Sequence, residues 1–422
     1  MAFPQLARYP SLGPSLWSFD KLPDGVSVEP WAITAADGGE SSGTLYRKGG
    51  ETTCVLFMHP RGDMQRHYCM PTLLDAGIAT FGQAGRFVNN DVNCIKERLL
   101  LDVAAAIVRL KARGFETIIL AGNSGGGALY TFYQSQAATP PPGRYKDTAA
   151  GDPLDLNGFE MPAADGLIQL ATHLGEGKLM EAIIDPSVVD ENDPLSIDPS
   201  LDMYNPDNGY KPLPEATKYS PEFLDRYRAA QRARLARIDA IARGHIAEQR
   251  HYMARIGAES FDSLPFAEQQ WMLRRGIAGR YMEIHRTEAN PAYTDPSITP
   301  SKRQIGSFFT PRPDVLNYTE AGFGKYLTPR AWLSTWSGPS SRANSLVCVK
   351  AIHEPTLVIA YDGDNAVMPC DTDGIFAASA AKDKSIETVS GDHLGYGPGG
   401  MGNRAGQRAA AGIIADWIKK RF

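Results

Sequence analysis

The segment Thr117-Ile118-Ile119-Leu120-Ala121-Gly122-Asn123-Ser124-Gly125-Gly126-Gly127-Ala128-Leu129-Tyr130 runs from an apolar, β-prone stretch through Gly-x-Ser-x-Gly into helical spacing. A strand-to-helix turn this sharp drives its central residue toward strained backbone angles, and the glycines remove the side chains that would clash. Ser124 is therefore expected to stand exposed above a strand end, as a nucleophile. A serine hydroxyl needs an adjacent base, itself oriented by a third group. Of the eight histidines, His393 is set in Gly391-Asp392-His393-Leu394-Gly395-Tyr396-Gly397, between the last strand pattern and the final helix pattern. In a parallel sheet that loop leaves the same edge as the serine, which makes His393 the expected base. The strand pattern at 355–361 runs into Asp362-Gly363-Asp364, so either Asp362 or Asp364 could orient it. The amide of Gly125, next to the nucleophile at a helix amino end, is the expected first donor to an oxyanion.

These residues require an α/β framework to bring them together. Strands are expected at 26–34, 43–47, 54–58, 78–81, 115–121, 166–171, 355–361 and 385–389. Helices are expected at 91–113, 124–137, 371–381 and 407–420, with Gly114 stopping the first and the Pro140-Pro141-Pro142-Gly143 run breaking the pattern after the second. Alternation disappears over 176–342, so residues 1–175 and 343–422 are expected to form one core, interrupted by a large, mainly helical cap between the sixth and seventh strands. Within the cap, Ser220-Pro221-Glu222 opens a long helix to Ile256 with a cap residue, a first-turn proline and an acid. Leu235, Ile238, Ala242, His245, Gln249, Tyr252 and Ile256 trace a narrow stripe on it. Its eight arginines between Arg226 and Arg255 read as a solvated face.

Composition narrows the classes. The chain of 422 residues is 43% apolar with a net charge of −5, which gives no electrostatic reason to expect nucleic acid or an anionic membrane as a partner. Five cysteines without paired short spacing argue for reduced thiols rather than disulfides or zinc. The first ten residues lack a basic start followed by an apolar core, and no run of about 18 apolar residues occurs. A cytoplasmic protein acting on a small molecule, with no metal and no organic cofactor, is the expectation; self-association through the long cap helix is the one partner suggested. Arg86, after the fourth strand, could face a substrate or pair with Asp91. Trp336, with Trp332, Tyr318 and Phe323, lies where the insertion rejoins the core and could line a pocket. The aspartates of 198–207 fit no calcium loop and read as loop residues.

The elbow, the chain order Ser…Asp…His and the segment Asp364-Asn365-Ala366-Val367-Met368-Pro369 together resemble the α/β-hydrolase fold family over residues 1–175 and 343–422. In that family the acid precedes an x-x-Val-Pro-like stretch, which implies Asp364; one extra residue before the proline leaves Asp362 as the alternative. The resemblance also implies a second oxyanion amide from the loop after the third strand. Members often carry His-Gly there, whereas this chain has His59-Pro60-Arg61-Gly62, so the donor implied is Arg61. The implied activity is cleavage of an ester or lactone of a moderately apolar substrate through an acyl-enzyme. The same triad could cleave a β-diketone carbon–carbon bond or transfer the acyl group, and a pocket of this fold could simply hold a ligand.

Overall fold

The computed structural model describes residues 20–422. The first ten residues, on which the leader reading rests, lie outside them. Eight strands form one sheet: β1 (Ser27–Thr34), β2 (Glu40–Arg47), β3 (Thr53–Phe57), β4 (Ala79–Ala84), β5 (Thr117–Asn123), β6 (Gly166–Leu170), β7 (Thr356–Tyr361) and β8 (Lys384–Val389). Their spatial order is β1-β2-β4-β3-β5-β6-β7-β8. β2 pairs antiparallel with β1 and with β4, and every other pairing is parallel. The carboxyl ends of β3, β5, β6, β7 and β8 therefore share one edge, and the loops that leave it carry the candidate residues.

Helices cover both faces, as continuous apolar central strands require. They are α1 (Met70–Asp75), α2 (Lys96–Ala112) and α3 (Gly125–Ala138) ahead of β6, and α7 (Pro369–Ala378) and α8 (Ala405–Lys419) after β7. Alternate residues of β5 serve opposite faces: Ile118 and Leu120 join Leu99, Val103, Ile107 and Leu129 of α2 and α3, while Ile119 and Ala121 join Leu74, Ile414 and Trp417 of α1 and α8. One helix start differs from expectation. Asp91–Asn93 make a single 3₁₀ turn, and the extended Ile95 separates it from α2. That break turns Lys96 and Glu97 inward, where both are fully buried.

Between β6 and β7 the chain adds no strand to this sheet. It forms α4 (Glu176–Ile183), α5 (Pro221–Ile256) and α6 (Phe266–Ile277), and two short strands, Met282–Glu283 and Tyr326–Leu327, that pair with each other. The segment has its own apolar centre, where Met180, Ile183, Leu235, Ile238, Ala242 and Ile246 meet Trp332 and Trp336. Ser220 caps α5 by accepting from the Phe223 amide at 3.1 Å. Six of the eight arginines of α5 are exposed, as a solvated face requires; Arg228 and Arg234 depart from it. Arg234 is buried, holds Glu191 through two nitrogens (3.0 and 2.8 Å) and donates to the carbonyls of Asp185 and His285. Arg228, Arg237 and Arg250 likewise reach carbonyls of neighbouring segments. The planar guanidinium lets each satisfy several loop acceptors at once. No helix among the described residues is long and apolar enough to cross a membrane.

Candidate active site

Ser124 occupies φ 54°, ψ −122°, a strained conformation for a residue with a β-carbon, and α3 starts at the next residue. Close approach explains the glycines on either side. A β-carbon on Gly122 would collide with the backbone of Gly126 and Gly127, and one on Gly126 with the carbonyl of Met58. Gly125 stands in the first turn of α3, where no carbonyl four residues back is available to its amide.

Ser124 Oγ lies 3.0 Å from Nε2 of His393, and His393 Nδ1 lies 2.7 Å from Oδ2 of Asp364. Asp364 is buried, and its other oxygen accepts the amides of Ala366 and Val367 at 2.7 and 2.8 Å. Asp362 does not reach the imidazole. It pairs with Lys302 at 2.8 Å and accepts the Gly391 amide at 3.3 Å, tying the acid loop to the histidine loop. That second loop is well anchored: Asp392 accepts from the Leu394 and Tyr396 amides, and Gln407 donates to the Leu394 carbonyl. Burial alone would lower the His393 pKa, but the facing Asp364 carboxylate outweighs it and the net shift is upward. Phe308, from the segment between β6 and β7, sets its ring edge-on to His393, with centroids 5.1 Å apart.

Beside Gly125 lies a buried polar group that sequence reading did not assemble. Lys96, at the start of α2, is ion-paired with Glu176, at the start of α4, and both side chains are inaccessible. Burial opposes the Glu176 charge, yet the Lys96 ammonium holds its carboxyl down at about 2. His59 and His173 adjoin the pair. Burial pushes His173 down to about 4 and His59 well below its usual value. Both histidines follow strand ends, which is the only local signal they carry.

Three expected roles need correction. The Arg61 amide is directed at Nδ1 of His59 (3.1 Å), which also accepts from Gly62 (2.9 Å), because Pro60 folds the loop back onto the preceding imidazole. It is therefore not a free oxyanion donor. The Arg61 guanidinium pairs with Asp91 at 3.2 Å and lies over the rings of Phe323 and Trp336. Arg86 does not face a substrate space. Its guanidinium is clamped by Asp37 and Asp102, the latter fully buried, which makes it a tie among the β1–β2 turn, β4 and α2. Trp336 is fully buried and packs against Phe323, so it supports Arg61 rather than lining open space. A cavity of about 300 Å³ abuts Asp364 and is lined by Ala171, Lys302, Tyr361, Asp362 and Val367. It borders the acid, not the serine.

No known family model matches the chain, and no curated protein does. Solved structures similar to it include the esterase domain of a Rhodothermus marinus protein, at 10% identity over 93% of this chain and 98% of that one, with a TM-score of 0.43. A hypothetical protein from Pseudomonas aeruginosa aligns at 12% identity over 96% of each chain, with a TM-score of 0.46. A thermophilic esterase from Thermogutta terrifontis aligns at 12% identity over 93% of this chain and 98% of that one, with a TM-score of 0.38.

Proposed function

We propose that this chain is a serine hydrolase of the α/β-hydrolase type, cleaving a carboxylic ester or lactone of a moderately apolar substrate. The observation that carries this reading is the unbroken relay from Asp364 through His393 to Ser124, at 2.7 and 3.0 Å. Its Nδ1 hydrogen held by the carboxylate, His393 offers a lone pair at Nε2 to the serine hydroxyl. Ser124 Oγ bonds to the ester carbonyl carbon while its proton passes to His393 Nε2, and the carbonyl π pair moves onto oxygen. Collapse of that intermediate expels the alcohol, which takes the proton from His393. Water then attacks the acyl-enzyme by the same route and releases the acid. The Asp364 carboxylate, 2.7 Å from His393 Nδ1, stabilises the imidazolium that forms in each half.

The ring of Phe308 beside His393, with Phe309 and Phe323 packed behind it, supports an apolar acyl or alcohol group as the natural fit. Treatment with a fluorophosphonate probe followed by intact-mass measurement tests the assignment. The wild-type chain should gain one phosphonyl adduct on Ser124. Ser124→Ala should gain none and lose turnover of small activated esters by a factor on the order of 10⁴ or more while remaining folded. Undiminished ester hydrolysis by Ser124→Ala would remove Ser124 from the reaction.

A further inference from the structure

The amide that the loop after β3 was expected to contribute is spent on His59, and this has a chemical consequence for the ring. Nδ1 of His59 accepts two amide hydrogens, from Arg61 and Gly62. A ring nitrogen that accepts carries no hydrogen of its own, so the proton of this neutral imidazole sits on Nε2. His173 is fixed the same way, its Nδ1 accepting the Gly175 amide at 3.0 Å. Each ring therefore offers one N–H donor from Nε2.

Both donors face one place. A β-carbon built on Gly125 would lie 3.1 Å from His59 Nε2 and 3.3 Å from His173 Nε2. Both residues are about 95% buried, at 5% and 6% exposure, and among the described residues their hydrogen bonds run through Nδ1. Glu176 Oε1 stands 2.5 Å from the same point, but its charge is matched by Lys96 behind it. Two neutral N–H dipoles thus converge on the residue that follows the nucleophile.

We propose that the Nε2–H groups of His59 and His173, together with the Gly125 amide, form the oxyanion hole, with side chains taking the part of the missing loop amide. The proposal rests on the ester-hydrolysis reading above. As the Ser124 Oγ–carbon bond forms and the proton moves to His393, the π pair becomes a full negative charge on an oxygen that was neutral in the substrate. Donors fixed beforehand around that oxygen favour the transition state over the ground state. The low pKa of both imidazoles keeps them uncharged, so each serves as a donor without competing with His393 for the serine proton.

The test uses the full chain, a p-nitrophenyl ester and an aryl trifluoromethyl ketone, which forms a tetrahedral oxyanion with an active serine. His59→Ala and His173→Ala should each lower kcat by about 100-fold, with KM nearly unchanged, and weaken the ketone by a similar factor. His59→Gln, which keeps an N–H at comparable reach, should recover part of both. Alanine variants that keep wild-type kcat and ketone affinity, or that raise KM alone, would overturn the proposal and leave the two rings as packing around the Glu176–Lys96 pair. Should an alanine variant not fold, the glutamine variant at that position decides: ketone affinity must fall more than substrate affinity, and equal losses count against the proposal. A wild-type chain that does not react with fluorophosphonate at Ser124 would instead defeat the hydrolase reading itself.

Discussion

At the scale of single residues, the titration of His393 is the most exposed consequence of the geometry. In the proposed reaction His393 must be neutral to take the serine proton, and the adjacent Asp364 carboxylate raises its pKa despite burial. The acid limb of kcat/KM should therefore have its midpoint above the ordinary histidine value of about 6.5. Asp364→Asn should move that midpoint downward and remove most of the turnover; Asp362→Asn should leave the midpoint in place, since that carboxylate meets Lys302 and the Gly391 amide. A pH–rate series on the three proteins checks this, and a midpoint that follows Asp362 instead would reassign the acid. His173 makes the opposite contribution, to stability. Its folded pKa of about 4 lies below the unfolded value, so the unfolded chain binds the extra proton first. The stability that His173 contributes is complete above pH of about 6.5 and is lost progressively as pH falls toward its folded pKa. Denaturant midpoints between those limits should fall less steeply in His173→Gln than in the wild type.

At the scale of elements, the elbow depends on interpenetrating backbones rather than on a flexible turn. Gly122 and Gly126 carry ordinary negative φ values, so their glycine requirement is one of space: β5 and α3 approach each other and the β3 loop more closely than a methyl group permits. Gly126→Ala should accordingly lose phosphonylation by shifting α3 and Ser124 even if the sheet stays folded. Retained reactivity together with an unchanged circular dichroism spectrum would show that the loop can give way. This is also where sequence legibility divides. The strands and their edge could be read because each apolar run is short and closed by glycine, proline or aspartate, and α5 because Ser220-Pro221 marks its start. Ser124, Asp364 and His393 could be read because each follows a strand whose chemistry is local. His59, Lys96, His173 and Glu176 could not be assembled, because two follow strand ends, two begin helices, and all four meet only once the sheet order has put β3 and β6 on either side of β5. Arg86 was misread for the same reason, since its partners Asp37 and Asp102 come from two other elements. Arg234 looked like part of the wet face that most of its neighbours form, because a charge pattern carries no record of the Glu191 carboxylate and loop carbonyls packed against it.

At the scale of the whole molecule, the segment between β6 and β7 meets the sheet edge that carries Ser124 and His393 through Phe308 at His393 and through Phe323 and Trp336 over Arg61. Phe308→Ala should thus change the ranking of esters by acyl size while a small phosphonate still labels Ser124; an unchanged ranking would place the acyl group elsewhere. Trp336→Ala should instead act mainly on stability, by about 3–5 kcal/mol, because the ring is enclosed on all sides. The same segment also contains a part with few buried side chains, tied to residues 1–175 through Arg250 at Ala150 and Asp152. Buried positions on α5 recur from Phe223 to Ile246 and then stop. Beyond that point the helix is accompanied by α6, with Met253, Phe266, Trp271 and Ile277 open to solvent. Of the 36 residues of α5, the stretch to Ile246, about 39 Å at 1.5 Å per residue, carries those buried positions, and the remaining stretch of about 15 Å carries none. Local opening should follow that division, with amide hydrogens past Ile246 exchanging well before those of α2 or β5. A protease added in trace amounts should cut first in the exposed turn 257–265, leaving two fragments that stay associated through the buried positions of α5 up to Ile246 and still turn over ester.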